Sequence, residues 1–131
     1  MSDRIFEFRV WDKNFKKWVN SSKYFILLNG DFGGFDIENA ECIDYQFVNK
    51  NNFTVQQFTG LVDKNKKEIY EGDILLLEDK KNYQVFFERG CFLVSFDNQN
   101  DLPLLAYVQG KRCEIAGNIF ENPELLNKKD V

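Results

Sequence analysis

Gln57-Phe-Thr-Gly60 and, after a short charged stretch, Ile69-Tyr-Glu-Gly-Asp-Ile74 hold the densest structural punctuation in the chain. Phe53 to Phe58 alternates, with Phe53, Val55 and Gln57 opposed to Thr54, Gln56 and Phe58, which predicts a strand that Thr59-Gly60 closes. Asp63 to Lys67 reads as a solvated hairpin tip between Leu61-Val62 and Ile69-Tyr70. Gly72 then supplies the positive φ that a sharp entry into a sheet requires, and Asp73 can accept a nearby backbone N–H at that turn. What it launches is Ile74-Leu-Leu-Leu77, the most apolar short run in the chain and a candidate buried strand.

Downstream, the same texture repeats. Lys80 to Asn82 and Arg89-Gly90 are turn signals around Tyr83–Phe87 and Cys91–Phe96, while Asp97 to Asp101 reads as polar loop. Leu104 to Val108 and Lys111 to Ile119 read as final strands, with turns at Gly110 and Gly117. Asn122-Pro-Glu124 is a helix start with a turn or two of chain left to follow it. Short strands at this spacing predict a small antiparallel barrel or meander.

Upstream, Ile5 to Val10 alternates, placing Phe6, Phe8 and Val10 on one face and Glu7 and Arg9 on the other. Asp12-Lys-Asn14 turns the chain toward Trp18-Val19, so Trp11 and Trp18 should meet at the mouth of a hairpin. Tyr24 to Leu28 fits a buried strand or a short helix, and Asp31-Phe-Gly-Gly-Phe35 reads as a loop. Cys42 to Val48 is a strand expected to form a hairpin with Phe53–Phe58 across Asn49 to Asn52.

Composition narrows the chemistry. The chain has 131 residues, 14 Phe against a single Met, and a net charge of −4 with Lys and Arg dispersed. Phe on this scale favours pleated, half-buried surfaces, and the mild acidity disfavours a strong grip on phosphate backbones. With no histidine and three widely spaced cysteines, Cys42, Cys91 and Cys113, neither a Cys/His zinc site nor a Ser-His or Cys-His nucleophile pair can be built. No metal or other cofactor is expected. No apolar run nears the ~20 residues of a spanning helix, and the start at Met1 lacks a signal sequence, so the expected location is cytoplasmic, away from membranes.

Four segments, in order, resemble the YopX family of phage and prophage proteins. They are Phe8-Arg-Val-Trp-Asp12, Gln57-Phe-Thr-Gly-Leu61 with Asp63-Lys-Asn65, Lys67-Glu-Ile-Tyr-Glu-Gly-Asp-Ile74, and Gly117-Asn-Ile-Phe-Glu-Asn-Pro-Glu-Leu-Leu126. Lys66 departs from the pattern, because the family often has Gly there, which predicts a differently built tip. The resemblance implies a protein of a bacterial host cell with an unassigned biochemical role, and it supplies no catalytic residue to carry over. It implies an α+β N-terminal portion followed by a small SH3-like β-barrel. The expected fold is therefore β-rich α+β, with residues 1–60 as the α+β portion and residues 61–131 as the barrel with a short C-terminal helix, the two sharing one core.

The motif itself admits two readings. Asp63, Glu68, Glu71 and Asp73 could converge on a cation or on acid–base work, yet the calcium-loop pattern begun at Asp63 fails. Lys67 and Glu68 occupy positions that need other residues, and Ile74 sits where the bidentate acid belongs. Turn geometry is the ordinary use of such residues. The leading expectation is a non-enzymatic module that binds a host or phage protein or itself, with Glu71, Asp73, Trp11 and Trp18 as the candidate binding residues. The alternatives are a barrel face that stacks nucleic-acid bases and a hydrolase built on the acidic hairpin.

Overall fold

The computed structural model describes residues 5–19, 24–26, 32–35, 45–47, 52–96, 99–108 and 112–126. The expected strand start at Cys42, the Gly110 turn and the tail from Lys128 lie outside them. The chain divides into two compact units, Phe8–Gln56 and Met1–Glu7 with Gln57–Val131.

In the Phe8–Gln56 unit, β1 (Phe8–Asp12) and β2 (Lys17–Trp18) form the expected hairpin, with Trp11 opposite Trp18. Asp12 accepts the Asn14 and Phe15 N–H groups at 2.9 and 3.1 Å, which fixes the turn. The expected inward face of β1 is only partly right. Val10 is buried, but Phe6 and Phe8 are exposed, because burial runs through three consecutive residues, Val10, Trp11 and Asp12, rather than alternating.

A three-stranded sheet in the same unit has the order β3 (Tyr24–Ile26), β4 (Phe32–Phe35), β5 (Tyr45–Phe47). It corrects two expectations. Phe32–Phe35 is the central strand and not a loop, since Gly33 pairs with Phe25 on one side and with Phe47 on the other. Backbone partners on both edges hold a Gly-Gly pair extended, and no local signal announces those partners. Of the expected Cys42–Val48 strand, the described part, Tyr45–Phe47, pairs with β4 rather than with Phe53–Phe58.

The α+β reading of the N-terminal portion is overturned as well. The described residues before β6 (Phe53–Val62) hold antiparallel strands and turns and no α-helix.

The division between the units falls within β6. In the Gln57–Val131 unit, its second half pairs with β7 (Glu68–Tyr70), Phe58 opposite Tyr70 and Val62 opposite Glu68. Thr59-Gly60 does not close the strand. Gly60, at φ 84°, sits inside it as a bulge, and the register slips between Phe58 and Val62.

The remaining strands form one antiparallel sheet in the order β11-β10-β9-β8-β12, from β8 (Asp73–Leu77), β9 (Asn82–Glu88), β10 (Cys91–Phe96), β11 (Gln99–Pro103) and β12 (Cys113–Asn118). β11 and β12 are the two ends of that order, so among the described residues no backbone ladder closes the expected barrel. Part of the expected polar loop from Asp97 belongs to β11.

The core of this unit joins Ile69, Leu75, Leu77, Val85, Val94, Leu104 and Cys113. Leu104–Val108, read as a strand, is a single helical stretch, α1. Leu104 is buried while Tyr107 and Val108 pack on the core and Leu105 faces outward, which is helical spacing rather than alternation. Gly117 is not a turn but lies within β12 opposite Ile74, just past a bulge that leaves Ala116 out of register, and a Cβ there would overlap the Asn122 side chain. The C-terminal helix is a 3-10 turn, Pro123–Leu126, in which Leu125 N–H reaches the Asn122 carbonyl.

Candidate functional site

The acidic residues of the central motif do not converge. Asp73 is buried and accepts the Tyr70 N–H at 2.8 Å. Glu71 accepts the Gln57 N–H at 2.8 Å through its side chain, while its own N–H donates to the Gln57 carbonyl. Asp63, expected on a solvated tip, is only 4% exposed. Its Oδ1 takes the Asn65 and Lys67 N–H groups and its Oδ2 takes Ile115 N–H in β12. Burial alone would raise the Asp63 carboxyl, but the Ile115, Lys67 and Asn65 amides and the Lys67 charge outweigh it and hold the pKa below its ordinary value. These carboxylates close turns and tie strands. Among the described residues no three acidic or thiol groups gather as a metal site would require.

The tryptophans belong to the other unit. Trp11 is buried, Trp18 is half-buried, and their rings meet edge to face with centroids 4.9 Å apart. The Arg9 guanidinium lies over Trp18 at 4.3 Å and its Nε donates to Gln56 at 3.0 Å. Such a stack covers a core end more than it offers a surface.

What the motif does form is a groove. Ile5, Glu7, Phe58, Gly60, Val62 and Glu68 line an open cavity of about 460 Å³ in the Gln57–Val131 unit. Three features shape it. The Glu7 carbonyl accepts Phe58 N–H at 2.8 Å, which holds the N-terminal segment beside β6. The bulge at Gly60 removes a side chain from the floor, and a Cβ built there would meet nothing within 4 Å. Ile5 and Val62 keep 58% and 40% of their surface exposed on its walls.

At one end the Tyr70 hydroxyl donates to Glu7 at 3.2 Å and lies 3.5 Å from a Glu68 oxygen. The proximity of Glu7 raises the Glu68 pKa, with partial desolvation adding to it and the Tyr70 hydroxyl opposing it. Lys66, at the hairpin tip, also lines the groove.

Ile5, Glu7, Gly60 and Val62 were not candidate residues on sequence grounds. The only local signal was Gly60 itself, read as a strand end. Glu7 and Glu68 meet because the Glu7 carbonyl is held by Phe58 N–H in β6 and Glu68 pairs with β6 through Val62, and no spacing rule connects residues so far apart in the chain.

Comparison with known proteins supplies a family and a fold. Residues 7–127 match the family model described as YopX protein. The crystal structure of protein EF1440 from Enterococcus faecalis superposes with a TM-score of 0.68 at 24% identity, covering 95% of this chain and 100% of that one. The crystal structure of protein yopX from Bacillus subtilis gives 0.63 at 21% identity, covering 94% and 97%. No curated protein matches the chain at a significant level. At these identities the likeness to the two structures shows the shared fold. No helix among the described residues is long and apolar enough to cross a membrane.

Proposed function

The chain belongs to the YopX family, and on that premise we propose that it is a phage- or prophage-encoded interaction module that docks a partner protein in the bacterial cytoplasm and performs no chemistry itself. The observation that carries this reading is the groove at Gly60, an open, partly apolar concavity on the β6–β7 hairpin. Three of the four motif carboxylates of the hydrolase alternative are engaged by backbone amides: Asp63 and Asp73 are buried in that role, and Glu71 holds Gln57, while the fourth, Glu68, stands exposed beside Glu7 in the groove. Nucleic-acid binding finds less support, because the groove carries Glu7 and Glu68 against the single cation Lys66 among its described lining residues.

The test is site-specific photo-crosslinking in a nuclease-treated lysate of the phage-carrying host. A photoreactive residue at Val62 should capture a discrete protein species, and Gly60→Asn, which fills the groove floor, should abolish the product. The same captured species from a photoreactive residue at exposed Glu124, or one insensitive to Gly60→Asn, would overturn the reading.

A further inference from the structure

The chemistry at the two ends of the groove specifies what should enter it. We infer that the groove receives a lysine or arginine side chain from a partner protein segment, its methylene stem lying on Ile5 and Val62 and its charged head reaching Glu7 and Glu68. This inference rests on the docking reading above and adds the chemistry of the docked group.

Charge and shape argue together. A long cationic side chain is apolar along its stem and charged at its tip, and it lowers its free energy by burying the one while pairing the other. The groove offers that sequence of surfaces. Exposed Ile5 and Val62 line it together with Gly60, where open space stands in place of a side chain, and the carboxylates of Glu7 and Glu68 line it beside the Tyr70 hydroxyl they touch. Among the described residues neither Glu7 nor Glu68 has a cation within ion-pair distance, since Lys64 pairs with Glu114 instead. An anionic or purely apolar insert would leave the two carboxylates facing each other or desolvate them without compensation. A cation relieves their repulsion.

The titratable groups lining the pocket are Glu7, Glu68 and Lys66, with the Tyr70 hydroxyl in contact with both glutamates. Lys66 lies on the hairpin-tip side and disfavours a second cation there, so the insert is oriented with its head at the carboxylates. The raised Glu68 pKa adds a consequence: binding should weaken on acidification from above the ordinary glutamate range, as Glu68 takes up a proton.

The experiment is an amide NMR titration of the full chain with the capped tripeptide acetyl-Ile-Lys-Ile-amide and its norleucine counterpart, which keeps the stem and lacks the charge. The lysine probe should shift the Gly60, Val62 and Glu68 amides, and the norleucine probe should do so at least tenfold more weakly. Glu68→Gln, at an exposed position, should reduce lysine binding severalfold, and Gly60→Asn should abolish binding of both probes, each variant keeping a dispersed spectrum. Equal shifts from the two probes would overturn the cationic insert while leaving docking intact. No shift at these amides from either probe would overturn docking in this groove as well.

Discussion

Two hairpins in this chain solve the same problem by different means. The β9–β10 hairpin reverses in two residues, Arg89 and Gly90, both left-handed at φ 54° and 81°. Its register then runs without a slip from Cys91 opposite Glu88 to Ser95 opposite Gln84. That is the mirror-image turn whose twist matches the flanking strands. The β6–β7 hairpin is bulged at Gly60, has a longer tip, and is secured by a buried carboxylate that also reaches Ile115 in β12. The tip's backbone joins in, since Lys64 N–H donates to the Cys113 carbonyl. One hairpin is a local object; the other depends on a distant strand. The irregularity of the second is what opens a groove, because a regular strand would put a side chain where Gly60 has none.

Breaking the distant tie should have the largest effect. Asp63→Ala leaves three backbone N–H groups without their charged acceptor and should cost roughly 3 kcal/mol in chemical denaturation. Because the folded pKa of Asp63 is depressed, its contribution is fully present above the unfolded value of about 3.9 and is lost as pH falls through the folded pKa. The variant should therefore lose less stability than the parent over that acid range; equal acid sensitivity would show that Asp63 is not the tie.

Next comes Gly72→Val. Gly72 is buried at φ 87°, with its N–H on the Val85 carbonyl and its own carbonyl receiving Ile119 N–H. A β-branched side chain in that conformation should cost about 2 kcal/mol or more, and full thermal stability of the variant would contradict the role given to this turn.

The other two substitutions sharpen the contrast by improving each tip. Lys66 holds φ 65°, the left-handed conformation in which glycine is unstrained. A lysine at that position therefore carries backbone strain. Lys66→Gly should stabilise by about 0.5–1 kcal/mol, the conformational relief exceeding the entropy that glycine loses. Arg89→Asn should stabilise the β9–β10 hairpin by about 0.5 kcal/mol, since Asn tolerates the left-handed region and Asn-Gly suits this turn. Thermal denaturation measures both, and a loss in either case would mean that the side chain replaced was holding the tip.

What could be read from residues alone follows the range of the forces involved. Turn chemistry acts over a few residues, so Asp12, Gly72-Asp73 and Arg89-Gly90 were legible, as were β8, β9 and β10 beside the latter two. The motif order likewise identified the family. Tertiary structure decided the rest. It made Phe32–Phe35 a central strand by supplying partners on both edges, turned Leu104–Val108 into a helix over the core, and spent Asp63 on Ile115. It also brought Glu7 beside Glu68 over an empty Gly60. Each of those outcomes depends on a register between segments distant in sequence, and hydrogen-bonded register is a property of the assembled sheet rather than of any single stretch.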